Sequence, residues 1–265
     1  MAIKRRNKKT SSGPTLKRQQ FLALLKKVHL NGAINECTVT IGSGIATVEV
    51  VDITNSIIVL HTPQMDTGVA VGSKAFSASF GLGNMEVLIK FLSTLGDDDV
   101  KVEVSDAGDR LVIASKNGRR KIDYLATLPD LISTRLRMDE DDDEDYIERF
   151  QSMVEVSIEM DQDLIKDLVS YLATPKSKVA TIEVEKDQIR FVVGTSTEHR
   201  FEVTTKADCG ETFSITTNAE NLGKVLANVD FGDSALPTIG LSDSGPIVVE
   251  DGFCLWAIVP YEDEQ

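Results

Sequence analysis

An internal duplication constrains the fold of this chain more than any other feature. The dipeptide Phe76-Ser77 recurs as Phe213-Ser214, and SDAG at 105–108 recurs as SDSG at 242–245, at the same spacing. The order of predicted elements repeats too. Each half has an amphipathic helix, several short β-rich runs, a second helix and three further strands. Because a repeat changes the predicted fold, the sequence predicts two copies of one α+β domain.

Hydrophobic periodicity predicts four helices, at about 15–29, 84–95, 161–173 and 218–228. In the first, Phe21, Leu24, Leu25 and Val28 share one face, and the polar arc opposite holds the lysines of 26–27. The repeat and the turn residues divide the chain into a basic tail at 1–14, a domain at 15–127, a connector at 128–151 and a second domain at 152–265. The fold class is therefore α+β.

Charge is unevenly distributed along the chain. There are 28 Lys and Arg against 42 Asp and Glu, a net charge of -14, yet residues 1–30 contain basic residues and no acidic ones. The acidic run at 139–145 cannot be buried and predicts a solvated connector. An acidic body repels nucleic acid, so the composition argues against a protein that holds DNA by overall electrostatic affinity alone.

The motifs of catalysis and metal binding are not found. In the acidic run a calcium loop starting at Asp139 would need Gly where Glu144 stands and Glu where Phe150 stands. The segment 68–74 resembles a phosphate loop but is one residue short, and Ala75 stands where Ser or Thr is needed. The three histidines are isolated, and three distant cysteines fit a reducing compartment. We expect no enzyme activity, no metal and no cofactor.

The chain also lacks a secretory signal and an apolar run long enough to span a bilayer, so no membrane association is expected. An intracellular location is therefore expected.

Two stretches carry a family resemblance. INEC at 34–37, GSGI at 42–45 and Val51-Asp52 resemble the early strand, turn and strand of the eukaryotic DNA polymerase sliding clamp. GPIVVE at 245–250 and WAIVPYEDE at 256–264 resemble the final hairpin and acidic tail of that clamp. With the order of elements, the similarity covers about 16–265 and extends to the phage clamps. It implies two clamp domains in each chain, with helices on one face of antiparallel sheets. It also implies a homotrimeric ring that encircles double-stranded DNA, tethers a DNA polymerase and is opened by a clamp loader ATPase.

The resemblance also implies three sets of site residues. Those facing DNA from the helices would be Lys17, Arg18, Lys26, Lys27, Lys90, Lys166 and Lys224. Those of a pocket for partner peptides would be Val51, Asn55, Ile58, Leu128, Leu131, Pro237, Ile258, Val259, Pro260 and Tyr261. Those of the subunit interface, where the edge at 119–126 would meet the edge at 199–205, would be Arg119, Lys121, Asp123, Leu125, His199, Phe201 and Val203.

Simpler interpretations stay open for the first two sets. The lysines could merely solvate amphipathic helices, and Ile258 or Val259 could pack inside a last strand. The third helix carries Asp161, Asp163 and Asp167, so its inner face would be nearly neutral. The strand expected before the first helix is either short, at about 13–15, or missing.

A viral source is favoured, which implies the host cytoplasm for a phage protein, with the nucleus as the alternative. The basic tail could contact DNA or a partner. Two rival functions remain: a non-ring DNA-binding or transcription-linked viral protein that uses this tail, and a monomeric structural or virion protein.

Overall fold

The computed structural model describes residues 15–42, 45–61, 70–71, 77–96, 99–105, 108–134, 136, 145–174, 178–194, 199–231 and 235–261. The basic tail at 1–14 and most of the acidic run, 139–144, lie outside these residues, and so do the predictions made for them.

The first half contains two helices and nine strands within its described part. The helices are α1 (Arg18–His29) and α2 (Met85–Thr94). The strands are β1 (Thr15–Leu16), β2 (Cys37–Gly42), β3 (Ile45–Val51), β4 (Ile57–His61), β5 (Ala70–Val71), β6 (Ser77–Leu82), β7 (Val100–Val104), β8 (Arg110–Ser115) and β9 (Lys121–Leu125). The helix predicted from residue 15 begins at Arg18, because Thr15–Leu16 pairs with both β5 and β7. The strand before the first helix is therefore present and short.

The connector contains a 3-10 turn (Pro129–Leu131) and the short helix α3 (Tyr146–Ser152), whose N-terminus is capped by the Asp145 side chain. In the second half the helices are α4 (Gln162–Leu172) and α5 (Ala219–Leu226). Its strands are β10 (Val156–Glu159), β11 (Val179–Val184), β12 (Gln188–Val193), β13 (Phe201–Lys206), β14 (Phe213–Asn218), β15 (Thr238–Leu241), β16 (Ile247–Glu250) and β17 (Cys254–Ile258). The domain limits at 127 and 152 stay a prediction.

The strands form three antiparallel sheets. One has the order β5-β1-β7-β8-β9, one the order β13-β12-β11-β14, and the third the order β10-β15-β16-β17-β4-β3-β2-β6. The third sheet joins the two halves, since β17 pairs with β4 from Cys254 opposite His61 to Ile258 opposite Ile57. The last strand of the second half thus completes a sheet with the first half.

The main core lies between the helices and one face of the sheets. Each of the four long helices contributes its apolar stripe, for example Phe21 and Leu25 of α1 and Leu222 of α5. Strand alternation divides β17 between two faces: Cys254, Trp256 and Ile258 enter this core, while Leu255 and Ala257 face the other way. The predicted α+β class, with helices on one face of antiparallel sheets, is confirmed.

Candidate functional site

The exposed side of the helix layer carries most of the predicted DNA-facing residues. Lys17 occupies the position before the first residue of α1 and is exposed, as are Lys26 of α1, Lys90 of α2 and Lys166 of α4. Lys224 of α5 is partly exposed. Five of the seven predicted cations therefore reach solvent on the side of the helices away from the sheets.

Acidic residues on the same helices cancel much of this charge. The Nζ atom of Lys90 lies 2.6 Å from Glu86 Oε1, and Lys224 Nζ lies 2.6 Å from Glu220 Oε1, both at i,i+4 spacing. The hydrogen bond from each lysine holds the pKa of its glutamate below the usual range. On α4, Asp163 and Asp167 are exposed beside Lys166, as the sequence indicated. Only α1, which has no acidic residue, presents a clearly positive surface.

Two of the predicted DNA-facing residues are buried, and their predicted exposure is wrong. Arg18 is 9% exposed, and its Nη1 donates a 3.2 Å hydrogen bond to the carbonyl of Leu92 in α2. Lys27 is 6% exposed and its Nζ pairs with Asp251 and, at 2.9 Å, with Asp230. Helical periodicity placed Lys27 on the polar arc of α1. Periodicity within one helix cannot show that the second half of the chain covers that side of α1.

The environment of Lys27 is a charge cluster between the two halves. Burial by itself would lower the pKa of Lys27, but attraction and hydrogen bonds from Asp251 and Asp230 outweigh it and raise that pKa. The ammonium also lies 5.4 Å from the ring centroids of Phe253 and Trp256. Desolvation, together with the positive charge of Lys27, lowers the pKa of the neighbouring His61. This cluster links α1 to the turns that follow α5 and β16.

A basic turn was overlooked in the sequence. Residues 116–121 read KNGRRK and connect β8 to β9, with Lys116, Arg119, Arg120 and Lys121 all exposed. The guanidinium of Arg120 donates to the carbonyl of Thr94 at the C-terminus of α2. The turn therefore adds positive charge at the end of the helix layer. The four cations within six residues could have indicated this positive surface from the sequence. The resemblance had assigned two of them, Arg119 and Lys121, to the subunit interface.

A groove of about 570 Å³ runs along the outer face of the shared sheet, beside α3 and the C-terminal segment. Four of the ten predicted pocket residues line it together: Ile58, Val259, Pro260 and Tyr261. The other lining residues were missed by sequence reasoning: Tyr146, Arg149, Phe150, Met153, Asp243, Ser244, Gly245, Pro246 and Ala257. The aromatic pair at i,i+4 in the connector was the signal that could have indicated them.

Hydrogen bonds fix the C-terminal wall of this groove. Val259 N donates to the carbonyl of Ser56, and Tyr261 N donates to the carbonyl of Thr216. The Ser56 turn is organised by Asp52, whose Oδ1 accepts bonds from the backbone of Ser56 at 2.6 Å and Ile57 at 2.7 Å. Although burial opposes it, these bonds and those from Thr54 lower the pKa of Asp52. The wall is thus held by backbone bonds.

The remaining predicted pocket residues do not line the groove. Ile258 is fully buried in the main core, so its assignment to the pocket is wrong, because it alternates with Ala257 along β17. The carbonyl of Pro237 accepts a bond from Met160 N at the start of β15 instead. The others lie around the β3–β4 turn and the connector: Val51, Asn55, Leu128 and Leu131. Of these, Leu131 is 70% exposed.

The predicted interface residues lie on two sheet edges. In β9 and the turn before it, Arg119, Lys121, Asp123 and Leu125 are exposed, and Arg110 Nη1 lies 3.1 Å from Asp123. In β13, Phe201 stacks on Tyr171 of α4 at 5.2 Å and Val203 packs against the core, while His199 precedes the strand and is exposed. Both strands are terminal in their sheets. Their outer backbone groups are therefore available for pairing.

Within the described ranges, no group of three or more His, Cys, Asp and Glu side chains is placed to hold a metal ion. No helix in that part of the chain is both long and apolar enough to cross a membrane. The three cysteines are buried and unpaired.

The helix layer, the shared sheet and the two open edges define a sliding-clamp fold. The chain superposes on the proliferating cell nuclear antigen of Entamoeba histolytica with a TM-score of 0.73 at 11% identity, covering 95% of this chain and 100% of that one. It superposes on the PCNA of A. fulgidus, solved with the C-terminal region of FEN-1 bound, with a TM-score of 0.68 at 13% identity over 95% and 99% of the two chains. No family model and no curated protein sequence matches it. The chain has a PCNA-type sliding-clamp fold.

Proposed function

We propose that this chain is a DNA polymerase processivity factor that closes into a homotrimeric ring around double-stranded DNA. It is a non-enzymatic tether for a DNA polymerase and other replication proteins, and a clamp loader ATPase opens it. One observation carries the proposal beyond the fold. The strand pairing that joins the two halves within one molecule has an equivalent in the edge strands β9 and β13, which are not paired with each other.

The repeat makes these edges equivalent. β17 is the last strand of the second half, and β9 is the last strand of the first. β4 is the third strand after the first helix of the first half, and β13 is the third strand after the first helix of the second. Within one molecule β17 pairs with β4. Between molecules, β9 of one copy would pair with β13 of the next, which is a heterologous contact that forms a ring when the rotation closes.

DNA would be held inside the ring by enclosure. The helix layer offers Lys17 and Lys26 on α1 and the basic turn at 116–121, while the lysines of α2 and α5 are balanced by glutamates of their own helix. Phosphate contacts of this kind are independent of sequence and weak when few. A protein that must slide benefits from such a surface, because strong contacts would stop it.

Partners would dock on the outer face. The groove beside Ile58, Val259 and Tyr261 is mainly apolar, with Arg149, Asp243 and Ser244 also lining it, and its walls are formed by the connector and the C-terminal segment. An extended or helical peptide with hydrophobic side chains suits such a surface. The structure of A. fulgidus PCNA with the C-terminal region of FEN-1 supports this assignment of partner class. We place the protein inside the cell, in the host cytoplasm or nucleus of a virus-infected cell.

Sedimentation and DNA retention test the proposal together. Three copies of the 29.0 kDa chain would sediment at about 87 kDa. With a clamp loader and ATP, the protein should stay on circular DNA and slide off the same DNA after it is made linear. A 29 kDa species at micromolar concentration would contradict the ring. Tight, steeply salt-dependent binding to short linear DNA would instead favour a simple DNA-binding protein.

A further inference from the structure

The helix α3 of the connector lies on an apolar strip of the outer sheet face. The strip consists of Leu60, Val248, Leu255 and Ala257, all at most 4% exposed although they face away from the main core. Tyr146, Ile147 and Phe150 of α3 pack against it. The two aromatic rings are nearly parallel, with centroids 6.4 Å apart. The strip is therefore buried largely by a segment of the same chain.

The helix α3 has few of the features that stabilise a permanent core helix. It has seven residues, none of them buried, and helices shorter than about 12 residues are marginal on their own. Open space lies on both sides of it. The groove of about 570 Å³ borders Tyr146, Phe150 and Met153, and a second cavity of about 240 Å³ borders Tyr146 and Ile147. A helix flanked by cavities can leave its site without disturbing close-packed neighbours.

We propose that α3 is a displaceable, autoinhibitory cover, which occupies in cis the strip that a partner segment occupies in trans. The pattern of α3 defines the partner chemistry: a short helix with two aromatic side chains four residues apart. Asp145 and Arg149 border the two cavities but belong to α3 and its cap, so they would leave with the cover. The charged residues that stay at the rim are acidic, with Glu49 beside the smaller cavity and Asp243 beside the larger one. The partner segment therefore carries basic residues on its flanks, whereas α3 is preceded by an acidic run.

Such a cover would regulate the partner-binding face of the proposed clamp. The inference rests on the proposed function only for the identity of the partner. Its test uses the intact protein and needs no DNA. The probe is a labelled synthetic peptide with the sequence of residues 145–153, extended by two lysines at each end. A control peptide has serine in place of both aromatic residues.

Removing the anchors of the cover should open the strip. The double variant Tyr146→Ser with Phe150→Ser should bind the probe at least ten-fold more tightly than the wild type, as measured by fluorescence anisotropy. Glu148→Ser, an exposed change on the same helix, should bind like the wild type. Equal binding of the probe by the double variant and the wild type would overturn the proposal, and so would equal binding of the probe and the control peptide.

A crosslink supplies the opposite perturbation. A Cβ added at Gly245 would lie 3.6 Å from Met153 Cβ, within the range for a disulfide, once Ser242→Ala removes the hydroxyl that would clash with it. Oxidised Met153→Cys, Gly245→Cys, Ser242→Ala should lose probe binding at least five-fold relative to its reduced form. The native cysteines are buried and their thiol pKa values are raised, so they should not compete.

Hydrogen exchange checks the cover in the wild type. Amides of α3 should exchange at least 100-fold faster than those of β17 beneath it, and oxidation of the crosslinked variant should slow them. If the α3 amides are as protected as those of β17, the helix is an integral part of the core and the proposal fails. Loss of the ring in sedimentation would contradict the proposed function and leave this result unaffected.

Discussion

Replacing Lys27 by alanine should destabilise the protein strongly, although Lys27 was predicted from sequence to be a DNA contact. The Lys27 side chain is 8% exposed and its partner Asp251 is 0% exposed. Removing one member of a buried ion pair leaves the other charge uncompensated, which typically costs about 3–5 kcal/mol. Asp251 would keep bonds from the backbone nitrogens of Asp230, Phe253 and Cys254, each 2.9–3.0 Å long. We therefore expect a loss of about 3 kcal/mol, at the lower end of that range.

Urea unfolding followed by tryptophan fluorescence measures this loss directly. The chain has one tryptophan, Trp256, whose ring lies 5.4 Å from Lys27 Nζ, so its emission should report on the same cluster. Lys26→Ala is the matched control, because Lys26 is the neighbouring residue and is exposed. That variant should change stability by less than about 0.5 kcal/mol. A second variant, Lys27→Met with Asp251→Asn, should recover part of the loss, since it removes both charges and keeps most of the volume.

Two results would refute this reasoning. One is a loss below about 1 kcal/mol for Lys27→Ala, which is the value for an exposed pair. The other is unchanged stability together with weaker retention on circular DNA, equal to that of Lys26→Ala. That pattern would return Lys27 to the DNA-facing set and would mean that the two halves do not enclose it.

Two further predictions address the open edge and the interior charge. Leu125, on the outer edge strand β9, is 72% exposed, so Leu125→Asp should shift sedimentation from about 87 kDa toward 29 kDa. The control is Ile53→Asp, at a residue that is 79% exposed and lies outside both edges, and it should leave the ring intact. If Leu125→Asp also leaves the ring intact, the β9 edge is not part of the interface. His61 has a lowered pKa because it is buried beside Lys27, so the unfolded chain binds a proton more readily than the folded one. The free energy of unfolding should therefore fall as the pH drops below about 6.5. In urea titrations between pH 5 and 8, His61→Gln should make this fall smaller. Equal dependence of the unfolding free energy on pH in the variant and the wild type would contradict the assignment.

The repeat and the amphipathic pattern were enough to predict two α+β domains, and the resemblance of two stretches to a sliding clamp implied the rest of the fold. Helix faces such as Phe21, Leu24 and Leu25 are fixed by local periodicity, which any buried helix must satisfy. Strand alternation in the second half was equally readable. Boundaries were less certain, since the first helix was expected to begin at about residue 15, where Thr15 stands. It forms a strand because β5 and β7 lie beside it, and that is a long-range contact.

The side chains of the candidate site were harder to predict for the same reason. Whether Lys27 is exposed depends on Asp230 and Asp251, about two hundred residues further along the chain. Whether Ile258 or Ala257 lines the groove depends on the face of β17 that the register with β4 selects. The local sequence shows that side chains alternate between the two faces of β17, but it does not show which of them face the groove. The helix α3 was obscured by the acidic residues that precede it, which suggested a connector without regular structure.

The distribution of charge connects the fold to the proposed ring. A chain that held DNA by electrostatic attraction would keep its cations uncompensated, yet Lys90 and Lys224 are paired within their helices. Lys27, a further cation of α1, is withdrawn altogether and ties α1 to the second half. A ring of identical copies closes only if the angle between the two halves is fixed, because each copy must present β9 and β13 in the same relative orientation. The buried ion pair of Lys27, which also contacts two aromatic rings, joins α1 to the turn after β16 and so helps to fix that angle. In this chain, then, a cation that could have contributed to affinity for DNA contributes instead to the geometry on which the proposed ring depends.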